Sequence, residues 1–203
     1  KDIAFTVEGS VHSILQSERL VLNCMQRMSG IATLTHCMTE QLQGLKTKLL
    51  DTMKTTPGFR DYEKWAVKIG GGENHRFGLY DMLMIKDNHI DYCGGIGRAI
   101  KSVKSYLQKT NKNLCIEVEA RSLGDIEEIM NIGGIHRILL DNFSVERTRL
   151  AVALVKGKYE LESSGGITFE TLRSYAECGV DYISVGALTH SYKSLDMSLK
   201  AEK

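Results

Sequence analysis

The chain has 203 residues, 42% of them apolar and 25% charged, the balance of an ordinary soluble globular domain, and no run approaches the roughly 18 consecutive apolar residues of a membrane-spanning helix. With 26 basic against 25 acidic side chains the net charge is +1, which gives no general attraction to nucleic acid or anionic membrane, so any basic site must be local. The five cysteines (Cys24, Cys37, Cys93, Cys115 and Cys178) form no CxxC pair and read as reduced thiols of a cytoplasmic protein.

In chain order, KDIAFTVEG lacks the basic flank and apolar run of a signal peptide; it alternates like a strand and, without an initiator methionine, reads as a chain entered midway. From Glu18 to about Leu45, Leu20, Leu22, Met25, Met28, Ile31, Leu34 and Met38 keep three- and four-residue spacing, which predicts a long helix, or a broken pair, buried over much of its surface. Gly30, in its middle, implies close packing or a bend. After a TTPG turn at Pro57 and Gly58, short apolar runs (AVKI, DMLMIKDNH, LCIEVEA, RILLDNF, YELESSGG, YISVGAL) are expected as strands. Between the later ones, IGRAIKSVKSYLQ, LGDIEEIMNI, VERTRLAVALV and FETLRSYAEC carry apolar residues at helical spacing. From His136 the unit recurs about every 23 residues, at Tyr159 and Tyr182. Such alternation argues a parallel sheet, and the repeat favours closure into a barrel over a doubly wound sheet.

A barrel keeps its site at the C-terminal strand ends, and the expected ends here are dense in ionisable groups. His75 and Arg76 follow Gly70–Gly72; Lys86, Asp87, Asn88 and His89 end the second run; Glu117 and Glu119 lie in the third; Asp141 and Asn142 end the fourth; Glu162, Ser163 and Ser164 end the fifth. One such residue is most simply a solvated side chain, whereas five successive strands ending this way argue a site. Lys54, His75, Arg76 and Lys86 suit anionic oxygens, while Glu119 and Asp141 are hard carboxylates suited to Mg²⁺ or ribose hydroxyls. Together they point to a phosphate-bearing sugar and a metal. Glu117 and Glu119 face the same way along a strand, so periodicity alone does not say which meets a ligand, though the distance to the strand end favours Glu119. SSGG and VGAL are similar to barrel phosphate loops, SSGG being a weak signal by itself. GGIGRA lacks the third glycine of a dinucleotide loop and reads as a helix start; His12, His36 and His136 read as structural or exposed.

The runs ERLVLNCMQRMSGIATLT (Glu18–Thr35) and DTMKTTPGFRDYEKWAVKIGGGENHRFGLYDMLMIKDNHI (Asp51–Ile90), followed in order by IEVEA, ILLDNF, ESSGGI and VGALTHS, resemble the quinolinate phosphoribosyltransferases over nearly the whole chain. The resemblance implies an N-terminal α/β sandwich domain and an incomplete, open-sided α/β barrel, assembled as a homodimer or higher oligomer in the cytoplasm. It implies quinolinate and phosphoribosyl pyrophosphate as substrates, Mg²⁺ as cofactor, no nucleic acid and no membrane. By position, Lys54, His75, Arg76 and Lys86 match basic residues around the quinolinate carboxylates and phosphates, and Glu119 and Asp141 match acidic residues near ribose and metal. Lys54 and Lys86 are expected to act with those two carboxylates in catalysis. Ser164, Gly165, Gly166, Gly186 and His190 match segments around the 5′-phosphate, and Arg19 matches an arginine that reaches the neighbouring subunit's site.

The expected division is a remnant of the N-terminal domain and connecting helix over 1–45, the barrel over 46–190, and a segment over 191–203 returning towards the N-terminal part. Two departures stand out: the family's usual DTRK reads DTMK here, placing Met53 at an expected arginine, and much of the sandwich domain is absent. Both leave a catalytically impaired relative as the alternative function. A Schiff-base aldolase using Lys86, and a barrel family linked to molybdenum transport, are the remaining alternatives.

Overall fold

The computed structural model describes residues 2–201; Lys1, Glu202 and Lys203, which belong to the expected terminal segments, lie outside the described residues. Six strands form one all-parallel sheet: β1 (Lys48–Leu50), β2 (Met82–Ile85), β3 (Cys115–Ala120), β4 (Arg137–Asp141), β5 (Glu160–Ser164) and β6 (Tyr182–Ser184), in the order β1-β6-β5-β4-β3-β2. β1 and β2 are the two edges and do not pair with each other, so the barrel is open on one side, as expected. A bridge between Leu50 and Glu73 extends the free side of β1 towards that gap.

The helices are α1 (Val11–Glu40), α2 (Arg60–Ile69), α3 (Asp87–Cys93), α4 (Ile96–Thr110), α5 (Leu123–Ile132), α6 (Val145–Val155), α7 (Phe169–Ala176) and α8 (Ala187–His190). Each crossover from β2 to β6 contains a helix, as parallel pairing requires. Alternation along the strands sends Ile116, Val118, Ala120, Ile138, Leu140, Leu161 and Ile183 into one core with Ile100, Ile126, Ile129, Ala151, Val155 and Leu172 of the helices. The opposite faces carry Glu117, Glu119, Arg137, Asp141, Glu162, Ser164 and Ser184, so the barrel interior is polar where the sequence alternates.

Several expectations are corrected. Residues 2–10 form no strand. α1 is one helix that starts earlier and ends sooner than its apolar spacing suggests, and its first three turns are not buried: Val11, Leu15, Leu20 and Val21 are exposed, whereas Leu22, Ile31 and Met38 are covered. AVKI is not a strand but the end of α2, whose buried Ala66 and Val67 lie in a helix that packs on α1; three apolar residues in a run of four cannot by themselves distinguish strand from helix. The first strand is instead the three-residue KLL segment, so Pro57 follows β1 and Gly70–Gly72 follow α2. Lys86 caps α3 while Asp87, Asn88 and His89 lie in it, so DNH opens a helix rather than ending a strand. At Gly30 the cause is close packing: a Cβ there would overlap the Lys193 carbonyl of the C-terminal segment, which also bonds to α1 through Leu195 N and Gln26 O (3.2 Å).

Candidate active site

The C-terminal strand ends surround a cleft of about 570 Å³ lined by Lys54, His75, Arg76, Lys86, Glu119, Asp141, Ser164, Gly165, Gly166, Gly186 and His190, together with Met53, Asn142, Glu162 and Ser184. Every residue matched to the family's site thus meets in one place except Arg19, which sits on the exposed part of α1 beside Glu18 (3.9 Å) and does not line this cleft, while Asp87, Asn88, His89, Glu117 and Ser163 also lie outside its lining.

Sheet order divides the cleft into three kinds of chemistry. At β5 and β6, Gly165 and Gly166 hold φ of 97° and 62°, a backbone that side chains resist, and a Cβ at Gly165 would collide with Asn142. Ser184 Oγ donates to Ser164 Oγ (3.0 Å), and a Cβ at Gly186 would lie 3.1 Å from Lys54 Cδ and 3.0 Å from His190 Nε2. This is a small-residue, amide-rich wall of the type that admits a phosphate. The Thr189 hydroxyl donates to the Lys54 carbonyl (2.9 Å) and ties this wall to the segment after β1.

At β3 and β4 stand the two carboxylates. Glu119 Oε2 accepts from the Asp87 amide (2.9 Å), at the N-terminus of α3. Burial raises the Glu119 pKa above the ordinary carboxyl range, Lys86 and the Asp87 amide oppose this, and Asp141 raises it further by repulsion. Two repelling carboxylates on neighbouring strands are a donor set that fits a hard divalent cation such as Mg²⁺.

At the open side lie the cations. His89 Nδ1 accepts from the Lys86 amide (2.9 Å), and Arg76 Nη1 donates to the Met82 carbonyl of β2 (3.3 Å). His75 is buried at the floor: Nε2 is 3.1 Å from Glu117 and 3.3 Å from Glu162, and Nδ1 accepts from the Arg76 amide (2.7 Å). Burial works against a charged ring, but the two carboxylates outweigh it and lift the His75 pKa to about 9. Burial, then Glu162, pushes Glu117 up to about 7. Glu162 also meets Arg137 (3.0 Å), which lies 3.8 Å from the Tyr182 ring centroid. The choice left open by periodicity is thus resolved by depth: Glu119 lines the cleft and Glu117 lies beneath it.

The sequence reading missed two residues that shape this floor, Asp51 and Lys64, which form a fully buried ion pair. The signal for Asp51 is its place directly after the short strand β1; Lys64, one turn before Val67, lies in no element that the apolar spacing predicts.

Residues 31–200 match the family model described as quinolinate phosphoribosyl transferase, C-terminal domain. The chain belongs to the quinolinate phosphoribosyltransferase family. It is 46% identical over 97% of its length to the Nicotiana tabacum protein named quinolinate phosphoribosyltransferase [decarboxylating] 1b, covering 59% of that relative. It is 44% identical over 98% of its length to the probable nicotinate-nucleotide pyrophosphorylase [carboxylating] of Bacillus subtilis, covering 67% of it. Among solved structures, NadC from Streptococcus pyogenes superposes with a TM-score of 0.87 at 44% identity, over 95% of this chain and 66% of that one. The chain therefore spans about three fifths of the plant quinolinate phosphoribosyltransferases it matches. No helix among the described residues is long and apolar enough to cross a membrane.

Proposed function

We propose that the chain carries the catalytic cleft of an enzyme that transfers phosphoribosyl from phosphoribosyl pyrophosphate to quinolinate, with decarboxylation, giving nicotinate mononucleotide, pyrophosphate and carbon dioxide. The observation that carries this reading is the three-part cleft: a small-residue wall at β5 and β6, paired carboxylates at β3 and β4, and cations at the open side. A sugar bearing a 5′-phosphate and a 1-pyrophosphate needs the first two, and a pyridine dicarboxylate needs the third. Relatives named for this reaction are 44–48% identical to the chain over the aligned residues.

On this reading Ser164, Gly165, Gly166, Gly186 and His190 hold the 5′-phosphate, and Arg76 and Lys86 bind the quinolinate carboxylates beside His75. Glu119 and Asp141 would hold Mg²⁺, whose charge favours departure of pyrophosphate. The pyridine nitrogen attacks the anomeric carbon through a state with oxocarbenium character, which the carboxylates favour, while Lys54 and Lys86 offset the charge gathering on the leaving group. Loss of carbon dioxide then leaves its electron pair on the ring carbon, as an ylide stabilised by the adjacent quaternised nitrogen, and a proton from water completes the product, so no protein nucleophile is needed. The same reading includes self-association, supported by an Arg19 that faces away from its own cleft and by the apolar, exposed start of α1. Five free thiols suit a reducing compartment such as the cytoplasm.

The test is calorimetry with quinolinate, followed by a coupled assay of pyrophosphate release with phosphoribosyl pyrophosphate and Mg²⁺. Binding is expected, with one carbon dioxide released per pyrophosphate, and Glu119→Gln should lower kcat by roughly 10²–10³, the usual effect of removing a charge-stabilising group. Absence of binding and turnover in both the native chain and Met53→Arg would favour the non-catalytic alternative. Borohydride trapping of a carbonyl substrate on Lys86 would favour an aldolase.

A further inference from the structure

His75 has each of its polar atoms turned towards protein groups, Nε2 lying at ion-pair distance from two carboxylates without a well-aligned hydrogen bond. The ring meets Glu117 and Glu162 at Nε2 and the Arg76 amide at Nδ1. Its backbone is held by a separate device. The amide donates to Asp51 Oδ1 (2.9 Å), and the carbonyl accepts from Lys64 Nζ (3.1 Å). Lys64 and Asp51 pair directly with each other, their side chains 2% and 0% exposed, and Asn74 Nδ2 joins Asp51 Oδ2 (2.5 Å) to the Lys64 carbonyl (2.8 Å).

The placement follows from the end of β1. Glu73 N donates to Leu49 O (2.8 Å) and Asp51 N to Glu73 O (3.2 Å), so residue 73 runs alongside β1 as a short extra rung. Beyond it the backbone ladder stops, and the Asp51 side chain takes over as acceptor for the next segment. An ion pair sealed from water is a weak source of net stability, since desolvation offsets its attraction and apolar replacements are often as stable. What this pair does supply is two fixed points on either side of one residue of the cleft floor.

We propose that Asp51 and Lys64 are positioning residues: by clamping the backbone of His75 from both sides they set the height of His75 and Arg76 in the cleft, and with it the fit of the dicarboxylate substrate. The assignment of that substrate rests on the function proposed above. Reacting groups tolerate little displacement, about 1 Å being enough to cost on the order of 10²-fold. Among the described residues the Asp51 and Lys64 side chains bond only to each other, Asn74 and the His75 backbone, and the 5′-phosphate wall adjoins the clamp only through the backbone of β1, where Val185 N donates to Leu50 O (3.0 Å), so the two halves of the cleft should respond differently to its loss.

The test uses the full chain and its Asp51→Asn/Lys64→Met variant, which removes both charges and leaves neither unpaired in the interior. Three quantities are read: the Kd for quinolinate, the Kd for ribose 5-phosphate, and the exchange rate of the His75 amide. Expected are a rise of at least about tenfold in the quinolinate Kd, a change of no more than about twofold for ribose 5-phosphate, and markedly faster His75 exchange. Equal changes in both Kd values would mark the pair as merely structural and overturn the proposal. So would unchanged exchange at His75. If the double variant fails to fold, Asn74→Ala, which loosens the same clamp without unpairing a buried charge, carries the test with the same split at about threefold. A native chain that binds ribose 5-phosphate but not quinolinate would sink the functional reading alone, and His75 exchange would still decide the clamp.

Discussion

Met53 lines the cleft beside Lys54, at the position where the resemblance leads one to expect an arginine, and a thioether offers a carboxylate or phosphate no charge-assisted donor. Such a bond contributes about 1.5–3 kcal/mol, so Met53→Arg is expected to tighten quinolinate binding by roughly 10- to 100-fold, measured by calorimetry. A weaker or unchanged Kd would mean that Arg76 and Lys86 already satisfy the substrate anions. At this scale much was legible, because charged residues at strand ends have few structural uses and the cleft gathers most of them. What was not legible was depth. Glu117 and Glu119 differ by one rung of one strand, yet one is sealed under His75 while the other faces the ligand space. Only the partners contributed by β5 and the loop after α2 decide that, and no local pattern contains them.

The strands and helices from α4 to α7 follow their apolar spacing closely, α5 and α6 covering the residues expected from LGDIEEIMNI and VERTRLAVALV, whereas the ends of DMLMIKDNH and YISVGAL turn into α3 and α8. The errors lie where an element is short or its covering partner is distant in sequence. KLL has three residues and acquires its strand character by pairing with β6, more than a hundred positions away. AVKI reads as apolar in any period, and α1 is what turns it into the buried edge of a helix. The same partner explains Gly30. Alanine is the better helix former by about 1 kcal/mol, but here its methyl would meet the Lys193 carbonyl. Gly30→Ala is therefore expected to destabilise, by about 1–3 kcal/mol for the overpacking less the gain in helix propensity, seen as a lower Tm and faster proteolysis within residues 191–201. A raised Tm would show that the C-terminal segment yields without cost.

Across the whole molecule the polar interior links four parts of the barrel: His75 after α2, Glu117 in β3, Arg137 in β4 and Glu162 in β5. The His75 pKa is raised from 6.5 to about 9, so its contribution to stability is complete below about pH 6.5 and is lost as pH climbs through 9. The shift alone corresponds to roughly 3 kcal/mol, and the Arg76 amide on Nδ1, which a second ring proton would displace, reduces it. Tm is thus expected to fall between pH 6.5 and 9, and Glu162→Gln, which removes one of the two carboxylates beneath the ring, should flatten that fall. A native chain with the same Tm at both ends of the range would contradict the assignment.

The gap between β1 and β2 gives Arg76 a second importance. Its segment hangs from the β1 side through Asp51, while its guanidinium holds the Met82 carbonyl on the β2 side, so one side chain fastens the seam of an unclosed barrel. An anion that draws Arg76 into the cleft must bargain with that fastening. Filling the cleft and loosening the seam are then two readings of one equilibrium, and a tightly bound dicarboxylate should leave its mark on the breathing of strands it never touches.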